Sequence, residues 1–480
     1  MLGSNHKPIA SLSETTSMRS LKSGIYDTAK TLGLTALGTA ALVGAHHLGR
    51  KQYDANARLS DYVYGLGQAI TKIGANNKQR LRSWPQLGTL VKQQTTAAKD
   101  TKTQNLITTV NWVSGVADLK ANEFAVVGID RDRQICWQTP MPERVHDILI
   151  QPHSLTHRED NGLNTDTHVA VMGRRPSEHF WILDAHSGDL LHSIKAEPNR
   201  HFYGHACYSL EGDLLYVTEN NTLDFGGLIG IYEVVSGYKK IAEFSTQGIG
   251  PHEIVMHPNG ETLVIANGGI KTERASREEL NIDTMQPSLV YLDRRNGRLI
   301  QQVFPEHNQM SVRHLAMHEN GTVVIGIQFQ GERHLSVPLV LTHRLGEEAF
   351  TALKMVNSQG HNWHLFHHYI ASVGLDCTHN LVCVTSPIGG CAAVFDLSTK
   401  ELVEVVELAD CAGVATYPNS GLKLDLIDKE SVTQPVFLVS DGQGNLTTLK
   451  VSGSHPSYSV KVDKVQQPYA FDNHLNVVEA

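Results

Sequence analysis

The pattern of hydrophobic and polar positions along the chain changes near residue 122. From Asn122 onward, short runs of alternating apolar and polar residues are separated by turn-forming clusters at intervals of roughly 8 to 12 residues. In one example, the runs "ACYSL" and "LLYVT" flank the turn cluster Glu211-Gly212-Asp213 and predict a hairpin. This alternation is typical of half-buried β-strands, and the close spacing of the runs indicates an all-β sandwich, barrel or propeller.

The strand pattern also repeats. One unit reads "HACYSLEGDLLYVTENN" followed by "GLIGIYEVVSGYKKIAEF", and the next reads "HEIVMHPNGETLVIANGG" followed by "SLVYLDRRNGRLIQQVF". Six such units occur, and strands between residues 124 and 140 form half of a seventh, which the C-terminal "PYAFDNHL" completes. Four strands per unit, repeated every roughly 40 to 60 residues, are typical of propeller blades, and a shared last blade leaves no exposed edge strand.

The sequence therefore predicts an all-β, seven-bladed β-propeller over residues 111–480, closed by N- and C-terminal strands. Six or eight blades are the alternatives, because the repeat weakens after Asp410.

The first 110 residues lack the strand pattern. Basic residues precede an acid-free run rich in Leu, Ala and Gly at residues 32 to 45, a length typical of a signal-peptide core. Residues 1–45 are predicted to be a signal-peptide-like segment that directs the chain to the periplasm, with a short buried helix or an uncleaved anchor as the alternatives. The segment has no twin arginine and no lipobox cysteine, so the export route stays open. Residues 46–110 are predicted to be a basic helical or flexible arm, the one part for which we expect membrane contact.

Charge and composition narrow the choice of partner. The chain has a net charge of −8, but residues 1–120 hold 15 Lys/Arg against 6 Asp/Glu, whereas the remainder holds 26 against 43. The acidic body argues against nucleic acid as its partner. The Gly-rich turns are not followed by helices, which argues against a nucleotide cofactor. The 26 histidines are the unusual feature of the composition.

The histidines recur at one position of the repeat. The starts of first strands carry His146, His205, His252 and His314, with His368 near the fifth unit and His474 in the closing strand. The ends of second strands carry Arg174, Arg175, Glu219 and Asn267. In a propeller blade the first strand begins, and the second strand ends, on the same face around the central channel. The sequence therefore predicts a polar cluster at one channel mouth.

Two interpretations of this cluster stay open. In one, the histidines are structural and hydrogen-bond neighbouring backbone, as the Gly-His pair of WD repeats does. In the other they bind a metal, because imidazoles with a carboxylate suit iron, copper, zinc or nickel better than calcium or magnesium. The candidate metal ligands are His201, His205, His252, His314 and His474. The candidate ligand-binding residues are Arg175, Arg200, Asn267 and Arg313, since guanidinium forks grip carboxylate or phosphate. The candidate carboxylate ligands or general bases are Glu219 and Glu253.

Several motifs resemble a known family. "RHFYGH", "GIGPHE", "ANGGI" and "FDNH", together with others between residues 111 and 474, resemble the DUF1513 family of uncharacterised exported bacterial proteins. The resemblance implies a propeller of the YVTN and quinoprotein amine dehydrogenase-like type in the periplasm. It also implies, by gene association, a role in iron or copper acquisition with imelysin-like or di-haem peroxidase-like partners. The motif positions here are Arg200, His201, His205, His252, Glu253, Asn267, Arg313, His314 and His474. The family supplies no catalytic residues to carry over.

Three hypotheses follow for the function. The first is a non-enzymatic, periplasmic propeller that binds a metal or metal complex. The second is a metal-dependent hydrolase of lactones or esters that uses Glu253 or Glu219 as the base. The third is a protein-interaction scaffold with structural histidines.

Overall fold

The computed structural model describes residues 109–118, 121–152, 167–272, 278–355, 360–417 and 434–478. The chain divides into two units, Met1–Lys102 and Thr103–Ala480, and all described residues belong to the second unit. The predicted signal segment and nearly all of the predicted arm therefore lie outside the described residues. Within the described ranges, no helix is long and apolar enough to span a membrane.

The described residues form 28 β-strands and two single-turn 3₁₀ helices, Ile282–Thr284 and Trp363–Phe366. The first fourteen strands are β1 Trp112–Asp118, β2 Glu123–Ile129, β3 Ile135–Met141, β4 Val145–Ile150, β5 His168–Gly173, β6 His179–Asp184, β7 Leu190–Lys195, β8 Arg200–Tyr208, β9 Leu214–Asn221, β10 Gly226–Glu233, β11 Lys239–Ile249, β12 Pro251–Met256, β13 Thr262–Asn267 and β14 Ser288–Asp293. The others are β15 Leu299–Val303, β16 Met310–Met317, β17 Thr322–Phe329, β18 Val340–Arg344, β19 Thr351–Ala352, β20 Ser372–Asp376, β21 Leu381–Ser386, β22 Cys391–Asp396, β23 Glu401–Glu407, β24 Cys411–Thr416, β25 Val436–Asp441, β26 Asn445–Ser454, β27 Ser457–Gln466 and β28 Phe471–Val477.

The strands pair as seven four-stranded antiparallel sheets. Blade 1 has the order β28-β1-β2-β3, and blades 2 to 7 each consist of four consecutive strands, from β4–β7 to β24–β27. The innermost strands β28, β4, β8, β12, β16, β20 and β24 contact one another in a closed circle. The predicted seven-bladed propeller, closed by both chain ends, is confirmed. Blade 1 takes three strands from the N-terminal side, because β1 precedes the two strands that the sequence pattern indicated.

Apolar side chains fill the spaces between neighbouring blades. Between blades 2 and 3, for instance, the ring of Phe180 lies 5.0 Å from that of Phe202 and 5.2 Å from that of Tyr232, both edge-on. Such edge-to-face contacts add to the stabilisation from burying aromatic surface. All six cysteines carry free thiols, so apolar packing and hydrogen bonding hold the blades together without disulfides.

Candidate metal centre in the central channel

Five histidines from five neighbouring innermost strands meet in the channel. They are His474 of β28, His146 of β4, His205 of β8, His252 of β12 and His314 of β16. The ring of His205 lies 4.6 Å from that of His146, 4.7 Å from that of His252 and 5.0 Å from that of His474. The ring of His314 lies 4.7 Å from His252 and 5.2 Å from His474. The structure thus brings together four of the five metal ligands proposed from the sequence and adds His146.

The histidines reach the channel because the innermost strands carry extra residues. In six of the seven blades, the pairing between the innermost strand and its neighbour skips residues of the inner strand. The affected residues are 472–474 in blade 1, 146 in blade 2, 203–205 in blade 3, 252 in blade 4, 313 in blade 5 and 412–413 in blade 7. Strand β20 of blade 6 pairs without a shift and contains no histidine. Such bulges re-aim side chains that would otherwise alternate across the sheet.

Two carboxylates lie against the imidazoles. The Nδ1 atom of His205 lies 3.1 Å from an oxygen of Asp147 and 3.4 Å from Oε1 of Glu253. The other oxygen of Glu253 lies 3.2 Å from Nδ1 of His314. Glu253 was proposed from the sequence, whereas Asp147 was missed. Its only signal in the sequence is its place directly after His146.

The side chains fall into two groups of possible metal ligands. In the first group, one ligand atom each from His205, His252, Glu253 and His314 lie within 4.8 Å of one another. The second group consists of His146, His205 and His474. Ligand atoms bound at roughly 2.0–2.2 Å to one ion lie at most about 4.4 Å apart. Small rotations of the side chains would therefore bring the first group around a single ion.

Four ring nitrogens of the cluster are buried without a hydrogen-bond partner among the described residues. They are Nε2 of His205, Nδ1 of His252, Nε2 of His314 and Nε2 of His474. A buried polar atom left without a partner costs about 1–3 kcal/mol, so such atoms call for an explanation. In His205 and His314, the carboxylates occupy Nδ1 and leave Nε2 for another partner. Carboxylates orient metal-binding histidines in this way in many proteins.

Burial sets the protonation states of the cluster. Burial and neighbouring positive groups lower the pKa values of His146 and His252 well below the usual range, lower that of His474 and lower that of His314 to about 4. These four imidazoles are therefore neutral near pH 7, which is the form that binds a metal. Burial opposes the charge on His205 as well, but the carboxylates of Glu253 and Asp147 outweigh it and raise the pKa to about 10. His205 and His314 in turn lower the pKa of Glu253, against the effect of its burial.

A family model described as "Protein of unknown function (DUF1513)" matches residues 139–478. The chain belongs to the DUF1513 family. The match covers most of the propeller and confirms the resemblance drawn from the motifs.

No curated protein matches the sequence of this DUF1513 protein. Among solved structures, hydrazine synthase of Kuenenia stuttgartiensis is similar with a TM-score of 0.47 and 11% identity, covering 72% of this chain and 95% of that chain. Hsv2 of Kluyveromyces lactis is similar with a TM-score of 0.43 and 11% identity, covering 72% of this chain and 93% of that chain. Similarity at this level carries no argument about ligands or activity.

Four of the residues proposed from the DUF1513 motifs and the repeat lie outside both ligand groups. Glu219 is buried within blade 3, where it accepts hydrogen bonds from the Tyr232 hydroxyl at 2.7 Å and from Lys240 at 2.9 Å. Arg200 pairs with Glu243 at 2.8 Å. The remaining two residues also have other neighbours. Asn267 donates a hydrogen bond to the Thr246 carbonyl at 2.9 Å, and the ring of His201 stacks on the ring of Tyr203 with 6.2 Å between their centroids.

Arginines and tyrosines of the DUF1513 protein line the mouth side of the cluster. The guanidinium of Arg175 lies over the ring of Tyr203, 4.5 Å from its centroid, and donates a hydrogen bond to the hydroxyl. Arg313, the extra residue of β16, is half-buried on this side of the cluster. The first residues after β13 are on this side, since Ser311 Oγ donates to the Gly268 carbonyl at 2.9 Å.

A cavity of about 450 Å³ lies on the other side of the cluster. Asp147, Glu253, His314 and His474 form one end, and mainly apolar residues of the innermost strands, such as Leu149, Met256 and Val477, line the rest. The imidazole cluster therefore separates an arginine-rich mouth from a chamber whose surface is about equally polar and apolar.

Proposed function

We propose that this DUF1513 protein binds one transition-metal ion in its central channel. The observation that carries the proposal is the set of four buried ring nitrogens, from four different blades, that have no partner among the described residues. One structural histidine per blade would be expected to hydrogen-bond its own surroundings. Three of these nitrogens belong to His205, His252 and His314, which share the first ligand group, and this suits a shared ligand.

The charges of the cluster also support a divalent cation. Asp147 and Glu253 place two negative charges among imidazoles that are mostly neutral, and the proton on His205 offsets one of them. A divalent ion that replaced this proton would offset both charges. Imidazole nitrogens with carboxylates behind them favour iron, copper, zinc or nickel over calcium and magnesium.

The proposed activity is binding rather than catalysis. Both oxygens of Glu253 lie against imidazoles, and Glu219 is paired with Lys240 inside blade 3. Both carboxylates are thus already engaged by neighbouring side chains, which argues against the general bases that the hydrolase hypothesis needs. Periplasmic location, a role in iron or copper acquisition, and imelysin-like or di-haem peroxidase-like partners stay predictions from the sequence and the family resemblance.

Metal content of tag-free protein, measured by plasma mass spectrometry after purification without chelators, tests the proposal. We expect about one transition metal per chain in the wild type and about a tenth of that or less in His205→Ala/His252→Ala, because two of the first-group ligands are lost. Glu253→Gln keeps the shape of the side chain but not its charge, and should weaken the metal affinity about 10- to 100-fold.

His343→Ala is the matched control. His343 is fully buried in blade 5, bonded to the Tyr291 hydroxyl at 2.7 Å, and has no part in the channel, so this variant should keep the wild-type metal content. A wild-type protein that takes up no metal after dialysis against iron, copper and zinc would overturn the proposal and favour the scaffold hypothesis. Undiminished metal in the double variant would place the ion elsewhere.

A further inference from the structure

Arg313 brings a positive charge to the mouth side of the metal cluster. It is the extra residue of the β16 bulge and directly precedes His314. A group bound to Arg313 would therefore lie beside the metal cluster.

The Arg313 side chain is held in one orientation. Its Nε atom donates to Ser311 Oγ at 3.0 Å, and Ser311 Oγ donates in turn to the Gly268 carbonyl at 2.9 Å. Gly268 is part of the "ANGG" motif, and a Cβ there would lie 3.0 Å from Ser311 Oγ. The motif thus permits the close approach that holds Nε of Arg313, and the two amino groups of Arg313 form no hydrogen bond with another described residue.

No carboxylate neutralises Arg313 among the described residues. Arg200 pairs with Glu243, and Arg144 pairs with Asp472, but Arg313 forms no ion pair there. The acid whose charge reaches Arg313 is the exposed Glu279, and its influence is weaker than the repulsion from Arg175. Arg313 is half-buried, and a charge that loses part of its hydration without gaining a counter-charge is destabilised, so a bound anion is the expected partner.

We propose that the channel mouth binds a small oxyanion, a carboxylate or a phosphate, through the two amino groups of Arg313. Guanidinium forks match two oxygen atoms of either group in a bidentate geometry. Arg175, whose guanidinium lies over the ring of Tyr203, adds a second positive charge on the same side of the cluster. The proposal deepens the proposed function, because an oxyanion at this place lies next to the metal ligands and is suited to contact a bound ion.

Isothermal titration calorimetry with malonate and, separately, with inorganic phosphate tests this site. The titrations are made first on metal-free protein and then on zinc-loaded protein whose zinc content is measured again afterwards. We expect saturable binding of at least one of the two anions by the metal-free wild type and tighter binding when zinc is present. The anion that binds more tightly identifies the carboxylate or the phosphate as the natural ligand class.

Arg313→Gln should weaken binding by about 10-fold or more, as expected for the loss of charge-assisted hydrogen bonds. Arg313→Lys keeps the positive charge but not the forked guanidinium, so its anion affinity should lie between those of the wild type and Arg313→Gln. Arg200→Gln is the matched control, since Glu243 already neutralises Arg200. The anion affinity of this variant should stay within twofold of the wild-type affinity. Absence of binding by both anions up to 10 mM, or equal affinity in Arg313→Gln, would overturn the proposal. Anion binding by a protein that takes up no metal would overturn only the metal function.

Discussion

Gly204 shows how closely single residues are fitted around the channel. It lies in the blade 3 bulge with φ of 110°, a conformation that residues with a side chain rarely adopt. A Cβ at this position would lie 2.5 Å from the Cδ2 atom of His146. The glycine of the "RHFYGH" motif therefore lets the backbone of blade 3 pass directly against a histidine of blade 2.

Gly204→Ala should lower the free energy of unfolding by about 2–4 kcal/mol, from backbone strain of about 1 kcal/mol and overpacking of about 1–3 kcal/mol. It should also displace His146 from His205. Urea unfolding measures the loss of stability. Gly346→Ala is the control for strain alone, because Gly346 has φ of 97° and a Cβ added there would meet no atom within 4 Å, so about 1 kcal/mol is expected. Equal losses in the two variants would contradict the close contact with His146.

At the scale of elements, an ion cluster ties three strands of blade 3 together. Glu243 of β11 accepts a hydrogen bond from Arg200 of β8 at 2.8 Å and another from Lys240 at 2.9 Å. Lys240 also contacts Glu219 of β9 at 2.9 Å and Glu197 at 3.3 Å. The hydrogen bond from Arg200, followed by the contact with Lys240, lowers the pKa of Glu243 from its ordinary 4.5 to about 2.

This shift predicts a pH dependence of stability. Because the folded protein holds Glu243 ionised, its contribution is fully present above about pH 4.5 and is lost as the pH falls toward 2. Glu243→Gln should therefore have a lower urea midpoint than the wild type at pH 6, and the difference should shrink at pH 4.5 and again at pH 3.5. A difference in midpoint that stays constant over this range would show that the charge of Glu243 does not stabilise the blade.

The bulges explain which parts of the site could be predicted from the sequence. The repeat fixed the position of the first-strand starts, so His205, His252, His314 and His474 were found together. A bulge shifts the alternation of its strand by one residue, and the sequence does not mark where this shift falls, so the faces of His146 and Asp147 could not be assigned. Glu219 has the same sequence position in its repeat as Asn267 has in the next, yet its carboxylate binds Lys240 of the same blade. The alternation of polar and apolar residues does not tell whether a polar side chain at a strand end lies in the channel or against its own blade.

At the scale of the whole molecule, contacts between the chain ends close the ring. Arg144, just before β4, donates two hydrogen bonds to Asp472 of β28, at 2.5 and 2.7 Å. Trp112 of β1 donates to the Thr416 carbonyl of blade 7 at 3.0 Å. Blade 1 is therefore fastened to both of its neighbours. The strand pattern predicted this closure, but the residues that fasten it are spread over distant parts of the chain and show no local signal.

Arg144→Gln should destabilise the protein by about 3 kcal/mol, because it leaves the buried carboxylate of Asp472 without its cation. Urea unfolding of Arg144→Gln, Asp472→Asn and the double variant gives the coupling between the two side chains. Arg295→Gln, which breaks the exposed pair with Glu261, should change the stability little. Additive effects of Arg144→Gln and Asp472→Asn would contradict a direct role of the pair in closure.

The use of the last strand for the innermost position of blade 1 has a consequence for biosynthesis. Arg144 and Asp472 are 328 residues apart in the chain, so the ring closes through contacts of very high sequence separation, which form late in folding. His474 belongs to the same strand as Asp472, and the centroid of its ring lies 5.3 Å from that of His146. A nascent or prematurely ended chain thus lacks part of the channel wall. The five-histidine cluster is assembled only in a molecule whose synthesis has run through to its last strand.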